Sequence, residues 1–147
     1  MDRLAAEGLR FTHYTTHPIC SPARAALLTG INAHAAGTGW LANNDAGYPG
    51  YRGEIPLDCA TLPETLRASG YATCAVGKWH NAPTADCTPS GDKRSWPCQR
   101  GFDHFHGFLE GETHFFFPTA LTRDNQVVPV ESYPRDYYAT DDWMTQG

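Results

Sequence analysis

The stretch "GYATCAVGKWH", residues 70–80, decides the fold because an apolar run ends directly in charged and polar residues. Residues 71–76 are short and apolar, which predicts a buried strand. Lys78 and His80 follow that strand, so a cation and an imidazole come at its carboxyl end. Ligands of open α/β sheets bind beyond the carboxyl ends of the strands. The sequence therefore places a candidate binding site here.

Helical patterns precede this strand. Residues 61–70, "TLPETLRASG", open with a Thr61-x-x-Glu64 capping box and close at Gly70, which predicts a helix. Further upstream, "DRLAAEGLRFTHYTT" predicts the end of a helix that Gly8 closes, followed by a strand near residues 9–14. Each predicted strand thus follows a helix.

A second helix is predicted for "CSPARAALLTG", residues 20–30. Ser21 is the expected N-cap, Pro22 the first helical residue and Gly30 the terminator. The order helix, strand, helix, strand favours an α/β fold with a mostly parallel sheet flanked by helices.

The ends of the chain look cut, because it opens inside a helix and stops soon after another helix begins in "DYYATDDWMTQG", with Thr140 as expected N-cap. Residues 81–135 are expected to be mostly loop. We therefore expect residues 1–147 to form one partial domain, incomplete at both ends.

Composition excludes several classes of protein. The 147 residues are 41% hydrophobic with a net charge of −5, which is typical of a globular chain and disfavours nucleic-acid binding. No apolar run approaches the roughly 18 residues of a membrane span. No signal peptide is visible, so a cytoplasmic location is expected. The five cysteines form no CxxC pair, which disfavours structural zinc and leaves free thiols as the expectation, with a Cys87–Cys98 disulfide left open.

Four side chains of the two strand-end segments could form one site: Cys20, Arg24, Lys78 and His80. Cys20 would lie at the positive end of a helix, where anions are favoured. Arg24, one turn further on, and Lys78 would add positive charge. His80 could donate or accept a proton. This combination suits a tetrahedral sulfate or phosphate group.

These residues also carry a family resemblance. "CSPARAALLTG" resembles the C-x-P-x-R signature of the type I sulfatases, which ends in T-G, and "GYATCAVGKWH" is similar to their second signature. "RGFDHFHGFLEGETHFFFP", residues 100–118, resembles a region of bacterial arylsulfatases. The resemblance covers nearly the whole chain. It implies the amino-terminal part of a catalytic domain with an alkaline phosphatase-like α/β fold.

The resemblance implies an enzyme that hydrolyses small-molecule sulfate esters. A maturation enzyme would oxidise Cys20 to formylglycine, whose hydrate attacks sulfur and is ligated by calcium, or alternatively magnesium. Arg24 would steady the hydrate, and Lys78 would bind sulfate and assist the leaving oxygen. His80 would contact the second hydroxyl and assist elimination. His114 is a candidate for the substrate pocket, with a loop histidine packed among aromatic residues as an equal alternative.

The chain departs from the family pattern in its metal ligands. The family places an aspartate pair upstream of the first signature, and an Asp-Asn pair, a His and a Lys far downstream; this chain has no match for them. Asp141 and Asp142 fall where the family has a surface helix, so they are not expected to bind metal. Only Cys20 remains as a metal ligand, and we expect the chain alone to be weakly active or inactive.

Other interpretations remain open from the sequence. One is a phosphonate monoester hydrolase or phosphodiesterase of the same superfamily; another is a non-catalytic remnant. The third is a small Cys/His metal module, in which His104 and His106 would form a pair. The remaining histidines, aromatics and cysteines are expected to pack in loops, core or pocket wall; these are His13, His17, His34, Phe115–Phe117, Cys59, Cys74, Cys87 and Cys98.

Overall fold

The computed structural model describes residues 1–43 and 45–147. Its α-helices in this range are α1 (Asp2–Glu7), α2 (Cys20–Thr29), α3 (Leu62–Ala68) and α4 (Ala139–Gln146). Its strands are β1 (Cys74–Lys78), β2 (His104–Phe108), β3 (Leu121–Arg123) and β4 (Gln126–Val127). Short 3₁₀ turns cover Thr84–Asp86, Pro97–Arg100 and Val130–Ser132. None of the helices in these described ranges has the length and apolar character needed to cross a membrane.

The four strands form one sheet in the order β1-β2-β3-β4. β1 and β2 are parallel, in a register that runs from Cys74 opposite His104 to Lys78 opposite Phe108. β2–β3 and β3–β4 are antiparallel. The α/β class is confirmed, but the sheet over the described residues is mixed, because a short hairpin follows the single parallel pair.

Helix α4 covers one face of the sheet. Trp143 stacks on Phe108 of β2, with ring centroids 5.6 Å apart. On the same strand, His106 Nε2 lies 2.6 Å from Asp142 Oδ2, and the Tyr137 hydroxyl donates to that oxygen at 2.9 Å. Burial and the adjacent carboxylate raise the pKa of Tyr137 well above its ordinary value. An apolar stack and a buried polar network therefore both hold α4 to the sheet.

The opposite face carries the main core. Trp79, Trp96, Phe105 and Leu109 are buried together there, and Leu28 of α2 packs against them. Burying aromatic side chains of this size is the largest apolar contribution available to a small domain. The core therefore fixes α2 against the sheet next to the carboxyl end of β1.

Buried Arg100 ties α3 to the loop that precedes it. Its guanidinium donates to the carbonyl oxygens of Ile55 and Cys59, both at 2.7 Å, and to Glu64 Oε1 at 3.0 Å. The Thr61 hydroxyl in turn donates to the Arg100 carbonyl oxygen. A buried arginine needs such partners for its donors, since an unpaired buried charge is strongly destabilising.

Several predicted elements differ from those observed. Residues 9–14 form no strand and no ladder pairing among the described residues, and Phe11 and Tyr14 are exposed. β1 begins three residues later than predicted and includes Lys78. Residues 104–108, predicted as loop, form β2, because Phe105 and its neighbours enter the core. Helix α1 buries none of its residues.

Helix boundaries were predicted with partial success. The Thr61–Glu64 capping box is confirmed, and Gly30 ends α2 in the left-handed region with φ 71°. Ser21 is not the N-cap of α2, which is Ile19, because the Ser21 hydroxyl is buried and accepts a hydrogen bond from the Ala42 N–H. The N-cap of α4 is Tyr138 rather than Thr140.

All five cysteines are free, so the disulfide between Cys87 and Cys98 that was left open does not form. Both of these thiols pack against the main core, and burial raises the pKa of Cys87 to about 12 and of Cys98 to about 11. Cys59 packs beside a smaller cluster, whereas Cys74 is exposed rather than packed.

The close approach of β1 and β2 generates a test of the fold. Gly107 and Gly77 face each other across the parallel pair, and a Cβ at Gly107 would overlap the carbonyl oxygen of Gly77. We expect Gly107→Ala to lower the free energy of unfolding by about 1–3 kcal/mol, because the backbone must shift to accept it. Urea denaturation measures the change.

Gly50→Ala is the matched control. A Cβ at Gly50 would meet its nearest neighbour, the His34 carbonyl oxygen, at an ordinary 3.4 Å. We expect that variant to unfold at nearly the same urea concentration as the parent chain. Equal stabilities of the two variants would contradict the role assigned to the Gly77–Gly107 contact.

Candidate active site

Cys20 and His80 meet although 60 residues separate them in sequence. Cys20 is the first residue of α2 and is partly exposed, and its Sγ lies 3.1 Å from His80 Nδ1. The N–H groups of Cys20 and Ser21 precede the first helical hydrogen bond, from Ala23 N–H to the Ile19 carbonyl at 3.2 Å. The side chain of residue 20 therefore lies at the positive end of a helix.

Arg24 connects α2 to the end of β1. Its Nη1 donates to the Lys78 carbonyl oxygen at 2.6 Å. Burial lowers the pKa of Arg24, while the nearby Cys20 raises it; a guanidinium keeps its charge in either case. The bond holds a fixed positive charge one helical turn from Cys20 and fixes α2 relative to the strand.

Lys78 is the last residue of β1, and its Nζ donates to the Gly111 carbonyl oxygen at 2.5 Å. The segment around Gly111 also passes close to His80, because a Cβ at Gly111 would lie 2.9 Å from the imidazole. The ammonium group is thus held beside the strand end by a backbone carbonyl rather than by a carboxylate.

His80 is buried, and its backbone adopts the left-handed region with φ 50°. Its N–H donates to the Leu109 carbonyl oxygen at 2.9 Å, which continues the parallel pairing beyond β1. Burial, Lys78 and Arg24, in that order, lower the pKa of His80 to about 4. The imidazole is therefore neutral near pH 7 and can accept a proton there.

A groove of about 980 Å³ opens beside Cys20 and Arg24, whereas Lys78 and His80 do not line it. Cys20 and Arg24 line one part of it, and residues 14–18 and the outer side of α2 line the rest. Positive charge, a helix start and open space together provide a binding place for an anionic group.

The other candidate residues lie outside this arrangement. His114 is exposed, and its Nδ1 accepts hydrogen bonds from the N–H groups of Phe116 and Phe117 within its own loop. His104 is largely exposed near Asp124, while His106 contacts Asp142. His104 and His106 therefore have different partners and do not form a metal pair. Phe115–Phe117 are exposed rather than core residues.

The described residues do not fit the calcium ion that the resemblance implies. Across residues 1–43 and 45–147, no group of three or more His, Cys, Asp or Glu side chains could hold a metal ion. The imidazole and the guanidinium near Cys20 supply no carboxylate oxygen, whereas calcium takes about six to eight oxygen ligands. The chemistry that the described residues can supply at this site is therefore that of their own side chains.

Sequence reasoning missed two residues at this site. Asn43 Oδ1 lies 3.3 Å from His80 Nε2, and the Gly111 carbonyl accepts from Lys78. Asn43 lies in the loop segment "LANND", where no spacing or periodicity indicates a contact. Gly111 offered a weak signal, because glycine is common where a backbone approaches a functional group closely.

The structure brings a helix start and the cations Arg24 and Lys78 together beside the end of β1. The chain belongs to the sulfatase family, because the family model Sulfatase matches residues 1–145. An uncharacterized sulfatase of Schizosaccharomyces pombe is 38% identical over 136 residues, which cover 88% of this chain and 23% of that protein. The arylsulfatase of Klebsiella aerogenes is 31% identical, with 99% of this chain and 32% of that protein covered.

Human arylsulfatase D is 39% identical, covering 84% of this chain and 19% of that protein. The chain thus spans between 19% and 32% of the length of these three relatives. The crystal structure of Ps i-CgsB matches with a TM-score of 0.64 and 27% identity, covering 86% of this chain and 29% of that one. A second structure of that protein holds k-i-k-neocarrahexaose. The predicted sulfatase fold is confirmed.

The electrostatics of His80 can be tested directly. Lys78→Met removes one of the two cations that lower the pKa of His80. A histidine loses its proton more readily beside a positive charge, so its removal should raise the pKa from about 4 towards the ordinary 6.5. It should not reach 6.5, because burial is the larger cause and remains. An NMR titration of the imidazole Cε1–H measures the change.

Lys93→Met is the control for Lys78→Met. Lys93 is another lysine of the chain, but its ammonium contacts the Pro89 carbonyl and the Trp96 ring instead of the site. Its loss should leave the titration of His80 unchanged. A His80 pKa equally unaffected by both substitutions would show that Lys78 exerts no charge effect there.

Proposed function

We propose that this chain supplies the amino-terminal half of a sulfatase active site that hydrolyses sulfate esters, with aryl sulfates as the substrate class. The observation that carries the proposal is the 3.1 Å contact between Cys20 Sγ and His80 Nδ1. That contact joins the two sulfatase-like signatures, which are far apart in sequence. Membership of the sulfatase family and the arylsulfatases among the relatives support it.

Cys20 is suited to become the formylglycine of this family, since it is partly exposed at the start of α2. The hydrated aldehyde would supply a hydroxyl nucleophile for attack on sulfur. A sulfate bound there would gain the N–H groups and dipole at the start of α2, together with the positive charges of Arg24 and Lys78. These positive groups stabilise the transition state for attack on sulfur, because the equatorial oxygens of the sulfate group carry its negative charge.

His80 is assigned the proton transfer at residue 20. Its Nδ1 already lies within hydrogen-bond distance of that side chain, and its low pKa keeps it unprotonated near pH 7. A neutral imidazole in this position can take a proton from a hydroxyl on residue 20. The Lys78 ammonium can donate towards the leaving oxygen once its bond to the Gly111 carbonyl is given up.

A phosphonate monoester hydrolase or phosphodiesterase is the second candidate. The observation that favours it is the site itself, because a helix start, a guanidinium and an ammonium bind any tetrahedral oxyanion. The arylsulfatase relatives favour sulfate esters. The neighbour that holds k-i-k-neocarrahexaose supports including that compound among the substrates to be tested.

Maturation of Cys20 is the first test. We expect co-expression with a formylglycine-generating enzyme to convert Cys20 to the aldehyde, which lowers the mass of its peptide by about 18 Da. Mass spectrometry of the digested chain measures this loss. Cys59 and the other thiols in the same digest should keep their mass, and Cys20→Ser should show no loss. An unmodified Cys20 peptide would overturn the proposed nucleophile.

Turnover then separates the candidate substrates. We expect the matured chain to hydrolyse an aryl sulfate faster than the matching aryl phosphonate monoester, with weak rates because the residues that the structure describes supply no donor set for calcium. Cys20→Ser, purified in the same way, gives the background rate. A faster rate with the phosphonate ester would favour the second candidate.

A further inference from the structure

A loop residue, Asn43, lies beside the candidate site; the residue itself is exposed, but its neighbour Ala42 is buried. The Ser21 hydroxyl, next to Cys20 in the first turn of α2, accepts a hydrogen bond from the Ala42 N–H at 3.1 Å, and both residues are fully buried. The carbonyl oxygen of Asn43 accepts from the Thr84 N–H at 3.3 Å. The backbone at Asn43 is therefore held from two sides, by α2 and by the segment that follows β1.

The side chain of Asn43 reaches the nitrogen of His80 that Cys20 does not use. Asn43 Oδ1 lies 3.3 Å from His80 Nε2, and Cys20 Sγ lies 3.1 Å from His80 Nδ1. The imidazole is bound at both ends, between the loop and the start of α2. Gly111 fills the space beside the ring so closely that a Cβ there would meet it at 2.9 Å.

This arrangement favours one of the two neutral tautomers of His80. A neutral imidazole has one N–H and one acceptor nitrogen, and the hydrogen bond made by one nitrogen fixes the state of the other. An amide oxygen can only accept a hydrogen bond, so Nε2 must be the protonated nitrogen when it faces Asn43 Oδ1. Nδ1 then presents its lone pair to residue 20.

We propose that Asn43 is a positioning residue: its amide oxygen holds His80 in the Nε2–H tautomer, with the unprotonated Nδ1 aimed at residue 20. The catalytic consequence rests on the proposed function, since only a base at Nδ1 can take a proton from the nucleophile. The tautomer itself does not depend on it. Asn43 touches no reacting atom and acts through His80 alone.

The tautomer can be measured in the 147-residue chain by NMR after labelling with ¹⁵N-histidine. We expect His80 of the parent chain to carry its proton on Nε2. In Asn43→Leu, which has a similar size but no acceptor, the Nε2–H should exchange with water about fivefold faster, because one hydrogen bond is lost. Asn43→Asp, which keeps an acceptor oxygen, should retain the slow exchange.

Asn32→Leu is the matched control. Asn32 Oδ1 accepts from the His34 N–H and lies 3.3 Å from His34 Nδ1, so its loss should change the signals of His34 and leave His80 unaffected. The signals of buried His106 report in each variant that the fold is intact.

Two results would overturn the inference: a proton on Nδ1 of His80 in the parent chain, or unchanged exchange in a folded Asn43→Leu. The first needs no variant, so it decides the question even where a substitution prevents folding. Neither NMR measurement requires turnover or conversion of Cys20. Failure of the proposed function and failure of this inference therefore give different results.

Discussion

The bond from Arg24 to the Lys78 carbonyl is the constraint on which the site depends. It joins the first turns of α2 to the last residue of β1 across 54 residues of sequence, at 2.6 Å. A charged donor on a partly buried carbonyl is stronger than a neutral hydrogen bond, and its loss would leave that guanidinium without this partner. The same bond sets how far Cys20 lies from the segment that carries His80.

The charges around residue 20 favour an anion and disfavour a third cation. Arg24 and Lys78 both bond to backbone carbonyls, and among the described residues neither forms a salt bridge. Burial, together with these two positive charges, explains why His80 stays neutral. A protonated His80 would have no lone pair to act as a base, so the low pKa keeps Nδ1 free to accept a proton near pH 7, although it also makes the imidazole a weaker base.

Sequence patterns predicted correctly those structural features that depend on residues close together in the chain. The capping box at Thr61 and the termination at Gly30 were predictable because both depend on contacts within one turn of helix. The strand β2 was not, because Gly107 and two histidines conceal its apolar alternation, and its burial depends on partners from α2 and the loop near Trp96. The sequence predicts Ser21 as an N-cap, because no sequence pattern indicates its long-range hydrogen bond with Ala42.

The same distinction separates the site residues that could be predicted from the one that could not. Cys20, Arg24, Lys78 and His80 could be named from two short segments. Lys78 and His80 do lie at the end of a strand, as expected. Cys20 and Arg24 follow no strand in the described part of the chain and are placed instead by the start of α2. Asn43 could not be named, since nothing in the sequence relates its loop to a histidine 37 residues away. Yet the direction in which His80 accepts a proton depends on that loop. Asn43, the residue proposed to orient the imidazole as a base, thus lies in a loop that shows no sequence pattern. Ser21, the immediate neighbour of Cys20, holds that loop through Ala42.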